Sequence, residues 1–183
     1  NELISYSDLF VIQAPGCEMS AALIDLYHKK GKKVVVDYDD YSFDLSPSNP
    51  RYADLGTEEK ELLDENGKAI KKYSDQELKF DLQANKNKYE AFKYCVSKSD
   101  CVTTTTGYLA NKFRVYNKNV KILPNSIDFN LWKPIKRLAP DNEIRIGWFG
   151  GDSHHKDLFI FKELFKYLQD KYHLGLLNHY KKL

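Results

Sequence analysis

Short apolar runs alternate along the chain with stretches whose apolar positions recur at helical spacing. "DLFVIQ", residues 8–13, is a compact run closed by Pro15-Gly16, the mark of a buried strand. Met19, Ala22, Leu23, Leu26 and Tyr27 then follow as one helix face. That pattern stops at Lys29-Lys30-Gly31, where basic side chains and a glycine suit a helix C-terminus. "KVVVD", residues 33–37, predicts the next strand. Strand, helix and strand with short connections make a right-handed βαβ unit and therefore a parallel sheet.

Residues 46–80 break this rhythm with two prolines, Gly56, Gly67 and dense charge. They predict an insertion lying over the sheet edge, with a small hairpin turning at Asn66-Gly67. Order returns when Leu82, Tyr89, Phe92 and Val96 line one side of a helix ending near Lys98. "DCVTTTT" (100–106) then reads as a strand, "GYLANKFRVY" (107–116) as a helix, and "NVKILPN" (119–125) as a strand stopped by Pro124. A linker over 129–142 carries two prolines and Trp132, whose expected role is to dock it against a domain. "IRIGWFGG" (144–151) reads as a fresh strand, with Trp148 and Phe149 expected to serve the core. Leu158, Phe161, Leu164, Phe165, Leu168 and Tyr172 form a strongly amphipathic helix.

The expected fold is α/β, with two Rossmann-like parallel βα series. Residues 1–128 form the first, residues 129–142 the linker, and residues 143–183 the start of the second. One strand and one helix cannot bury a core, so the second domain is expected to be incomplete here and the native chain longer.

Composition narrows the function classes. Among 183 residues, 42% are hydrophobic and 30% charged, which suits a globular protein. A net charge of +2 leaves no electrostatic footprint for nucleic acid, and no apolar run is long enough to span a bilayer. Cys17, Cys95 and Cys101 are odd in number and lack metal-ligand spacing, so reduced thiols in a cytoplasmic protein are expected.

Two constellations carry candidate chemistry. In "VVVDYDDYS" a valine strand runs into Asp37, Asp39 and Asp40. An apolar strand followed by Asp-x-Asp resembles the nucleophile motif of haloacid-dehalogenase-type phosphatases, and also the metal-holding Asp-x-Asp of GT-A glycosyltransferases. Tyr41 stands where the phosphatase motif expects Thr or Val, and no second acidic pair follows downstream. Capping of the following turn is the plainer role for these acids.

"VKILPNSIDFNLWKP" is longer and more specific. It resembles the apolar-Pro-Asn-Gly-apolar-Asp stretch of family 4 (group 1) glycosyltransferases, with Pro124, Asn125, Ile127 and Asp128 matching and Ser126 replacing the glycine. "SKSDCVTTTTGYLANKF" upstream and "IRIGWFGGDSHHKDL" downstream are similar to further family segments in the same order. "DYDD" after a valine strand is similar to a phage- and bacteria-associated branch. The resemblance covers most of residues 8–172.

It implies the GT-B fold, in which two Rossmann-like domains flank a cleft, and transfer of a sugar from a nucleotide-diphosphate sugar with retention of configuration. It further implies that Gly150, Gly151, Ser153, His154 and Lys156 bind the donor diphosphate. Strand, glycine loop and helix start supply backbone N–H groups and positive charge there. Gly151 occupies the place of the family's arginine. The family's paired glutamates and opening glycine loop have no counterpart, so these 183 residues are expected to be catalytically incomplete. Asp37, Asp39, Asp40, Thr105 and Asn125 leave carboxyl ends of strands, where doubly wound sheets bind ligands, and are expected to line the acceptor cleft.

No cofactor or metal is expected to be required beyond the UDP- or GDP-sugar. Adjacent His154 and His155 cannot both point at one ion from a regular element. The resemblance allows contact with a membrane surface, although no basic amphipathic helix argues for it. Two alternatives stay open: a Mg²⁺-dependent phosphatase or phosphotransferase using Asp37 and Asp39, and a non-catalytic Rossmann-like binding module.

Overall fold

The computed structural model describes residues 2–64, 66–74, 79–133 and 161–172. The chain divides into two compact units, Asn1–Ile135 and Lys136–Leu183. In the first unit a short helix α1 (Glu2–Tyr6) precedes β1 (Leu9–Gln13), α2 (Glu18–Lys29) and β2 (Lys33–Tyr38). An excursion follows, comprising α3 (Tyr52–Leu55) and the hairpin β3 (Lys60–Leu63) and β4 (Ala69–Tyr73). The chain then returns through α4 (Leu82–Lys98), β5 (Cys101–Thr104), α5 (Gly107–Phe113) and β6 (Val120–Ile122). Of the second unit, α6 (Lys162–Tyr172) is described, with Phe165 and Leu168 half-buried.

The four main strands form one parallel sheet in the order β1-β2-β5-β6, a Rossmann-like α/β arrangement. The register sets Val11 against Val35, Val35 against Cys101, and Val102 against Val120. Alternation along β2 sends Val34, Val36 and Tyr38 into the core and leaves Lys33, Val35 and Asp37 on the other face. Ile24 of α2, Phe92, Cys95 and Val96 of α4, and Ala110 and Phe113 of α5 complete that core. On the edge strand β1, Leu9 and Val11 keep 52% and 64% of their surface exposed.

The elements expected from the pattern are present, with informative differences. On α2 the buried positions are Ser20 and Ile24, while Met19 and Leu26 are exposed. The helix is turned by its own start, because Ser20 is drawn inward to bond Cys17 and to approach Cys95. The strand expected over 100–106 ends at Thr104, since Thr106 leaves it to cap α5 by accepting from the Leu109 amide. The hairpin turns where Asn66-Gly67 stands. Gly67 has φ +79°, and Asp64 Oδ1 accepts from the amides of Asn66 and Lys68.

The excursion rests against α4, and through Arg51 and Leu55 it also reaches a cavity at the end of the edge strand β1. Asn85 Nδ2 donates to the carbonyls of Ala53 (2.9 Å) and Gly56 (3.1 Å), and Lys88 Nζ donates to that of Asp54 (2.8 Å). Tyr52, Tyr73 and Phe80 give it a small core of its own.

At the amino end of the sheet, Asp100 joins three elements. One carboxylate oxygen accepts from Lys33 Nζ at 2.7 Å, and the other from the Val34 amide at 2.9 Å with His28 Nε2 also at 2.9 Å. Burial alone would raise this carboxyl, but bonds from Lys33, Val34 and His28 outweigh it and hold the group down to about 2.

Phe92 is 1% exposed and ringed by aromatic side chains, so Phe92→Ala should cost about 3–5 kcal/mol in urea unfolding. Because the folded-state value of Asp100 lies below that of an unfolded carboxyl, its contribution is present above about pH 4 and is lost as pH falls toward 2. Asp100→Asn should therefore be less stable than the parent by roughly 1–2 kcal/mol at pH 7, with the gap closing near pH 2.

Candidate functional site

The connection from β1 to α2 is held in an unusual shape. Ala14 has φ +46°, in the left-handed region that disfavours a Cβ, at a cost of about 1 kcal/mol. Its N–H donates to the Asp37 carbonyl at 2.7 Å, and the next carbonyl, that of Pro15, accepts from the buried Tyr38 hydroxyl at 2.5 Å. Burial pushes the Tyr38 phenol far up, so it stays a neutral donor. Cys17 then starts α2: its N–H donates to Ser20 Oγ (3.1 Å), whose hydroxyl donates back to the Cys17 carbonyl (2.8 Å).

Beside this turn, β2 delivers Asp39 and Asp40 past its carboxyl end. A cavity of about 620 Å³ opens there, within the range that holds a small ligand. The β1–α2 turn forms one wall, with Gln13, Gly16, Cys17 and Ser20. Asp39, Asp40 and Ser42 form another, Tyr38, Phe43 and Phe92 bring aromatic surface, and Arg51 and Leu55 arrive from the excursion. Among the described residues, no carboxylate pairs with the Arg51 guanidinium.

The expected acceptor-side residues divide. Asp39 and Asp40 line the cavity, and Asn125 Nδ2 donates to Asp39 Oδ1 at 3.0 Å across 86 positions of sequence. Asp37 stays within β2, where Oδ1 accepts from Thr103 Oγ1 of the neighbouring strand at 2.5 Å, and it is not part of the cavity wall. Thr105 follows β5, half-buried and likewise outside that wall. Gly150, Gly151, Ser153, His154 and Lys156 lie outside the described residues, as does the strand expected over 144–151.

Cys17, Ser20, Arg51 and Phe92 belong to the site without having been singled out for it. For Cys17 and Ser20 a signal exists, because a small polar residue after Pro-Gly with a hydroxyl three positions on is a helix-start pattern. Arg51 carries no such signal within its irregular stretch. Among the described residues, no group of three or more His, Cys, Asp or Glu side chains is placed to hold a metal ion. Nor is any described helix long and apolar enough to cross a membrane.

The three thiols differ in environment. Bonding from Ser20 lowers the value of Cys17, which is exposed, whereas burial raises those of Cys95 and Cys101. Iodoacetamide at pH 7.5 should therefore label Cys17 first in the folded protein, at least tenfold faster than Cys95, as read by peptide mass spectrometry. Comparison with protein-family models, with curated proteins and with solved structures finds no match to this chain.

Proposed function

We propose that the chain is part of a glycosyltransferase of GT-B architecture, moving a sugar from a nucleotide-diphosphate sugar to an acceptor hydroxyl with retention of configuration. One observation carries the reading. Asn125, from the "LPNS" segment that resembles the glycosyltransferase linker entry, hydrogen-bonds Asp39, from the acidic "DYDD" segment, beside a ligand-sized cavity. Two stretches singled out separately in the sequence thus meet at the carboxyl end of a parallel sheet, where α/β folds bind their ligands.

In this reading the cavity takes the acceptor. Asn125 occupies Oδ1 of Asp39, leaving Oδ2 and the Asp40 carboxylate to accept from sugar hydroxyls, while Tyr38, Phe43 and Phe92 offer apolar surface. The donor diphosphate is assigned to Gly150, Gly151, Ser153, His154 and Lys156, where glycines permit close backbone approach and Lys156 adds positive charge to the leaving group. The separate engagements of Asp37 with Thr103 and of Asp39 with Asn125 favour this over a phosphatase, which needs both carboxylates on one substrate.

Calorimetric titration with UDP, GDP and their sugar conjugates tests the donor side. The expected result is saturable binding without Mg²⁺, weakened about tenfold or more in Lys156→Ala. Binding that requires Mg²⁺ and disappears in Asp39→Ala moves the chemistry to the aspartates and the phosphatase class. No binding of any nucleotide points to a non-catalytic module.

A further inference from the structure

Resting on the acceptor-site reading, we infer that the sugar taken by this cavity carries an anionic substituent, a phosphate or a carboxylate, and that Arg51 is the residue that selects it. The walls of the cavity differ in charge. Asp39 and Asp40 leave β2 as hydrogen-bond acceptors and are served by hydroxyl donors. Arg51 reaches the cavity from the excursion, so its position is independent of the strand that carries the acids.

The guanidinium meets no carboxylate among the described residues, although two lie in the same cavity. A planar five-donor fork on a cavity-lining residue, with no carboxylate partner among the described residues, is suited to a bidentate oxyanion. The first turn of α2, through Cys17 and Ser20, brings the positive end of a 12-residue helix to the same cavity. Such a ligand presents hydroxyls to Asp39 and Asp40 and its anion to Arg51, so every charged wall is used. A neutral sugar would leave the guanidinium without its matching group.

The excursion is therefore the selective wall. α3 holds Arg51 at its start, and Asn85 and Lys88 fasten α3 to α4 through three backbone carbonyls. The arginine thus stands on a braced element instead of a free loop.

The test is an NMR titration of the 183-residue chain with methyl β-glucuronide, glucose 6-phosphate and methyl β-glucoside, following amide shifts around Gly16, Asp39 and Asp40. The inference expects at least one anionic sugar to bind about tenfold or more tightly than the glucoside, and the stronger of the two identifies the anion. Arg51→Gln should bring that affinity down to the level of the neutral sugar, while Arg51→Lys should restore part of the preference. Equal affinity for all three sugars, or an Arg51→Gln effect of the same factor on all three, overturns the anionic acceptor but leaves the acceptor site standing. The absence of shifts around the cavity with any sugar overturns the acceptor-site reading and this inference together.

Discussion

The first unit is organised around the ring of Phe92. It lies within 4.8–6.2 Å of six other aromatic rings, those of Tyr38, Tyr41, Phe43, Tyr89, Phe113 and Tyr116. These come from the central strand, the segment after it, α4 itself, α5 and the turn beyond α5. A helix packed on a parallel sheet needs large apolar side chains to fill the space between them, and aromatic pairs add directional preference to area burial. Phe92 also belongs to the cavity wall. Core and candidate site are therefore one packing problem, and the cavity inherits the rigidity of the sheet beneath it.

Tyr38 transmits that rigidity to the rim. Its ring stacks on Phe113 and meets Phe92 edge-on, while its hydroxyl fixes the Pro15 carbonyl. Ala14, on the preceding residue, keeps a backbone angle that a side chain resists. The unfavourable angle persists because bonds to Asp37 and from Tyr38 fix the turn on both sides of it. The rim thus combines a stiff turn at the start of a helix, two carboxylates and a braced arginine, each placed by a different element.

Much of the fold was legible because period and punctuation agreed. The valines of β2, the Asn-Gly of the hairpin and the long face of α4 each carried a single reading. The rotation of α2 was hidden because Met19 and Leu26 are apolar yet exposed, whereas Ser20 is polar yet buried by local bonding that hydropathy does not register. In the site, Asp39 and Asp40 reach the cavity wall from the end of β2, and Asn125 meets Asp39 there from another strand end. Asp37 stands off the cavity wall because Thr103 of the neighbouring strand donates to its carboxylate, a cross-strand bond that the run of aspartates does not announce. Arg51 was invisible because its location depends on Asn85 and Lys88 of α4, about thirty residues away, and on no local pattern.

The parallel pairing of β2 with β5 joins residues 66 positions apart, and the whole excursion lies within that span. Closing such a loop costs conformational entropy that grows only with the logarithm of its length, about 0.6 kcal/mol for each doubling. Lengthening this crossover therefore barely taxes the sheet, and the excursion's own aromatic core offsets part of the ordering it requires. The fold separates two kinds of evolutionary freedom. Strand ends that carry carboxylates are bound by register, whereas the wall bearing the arginine can be exchanged, extended or recharged with little penalty to the scaffold.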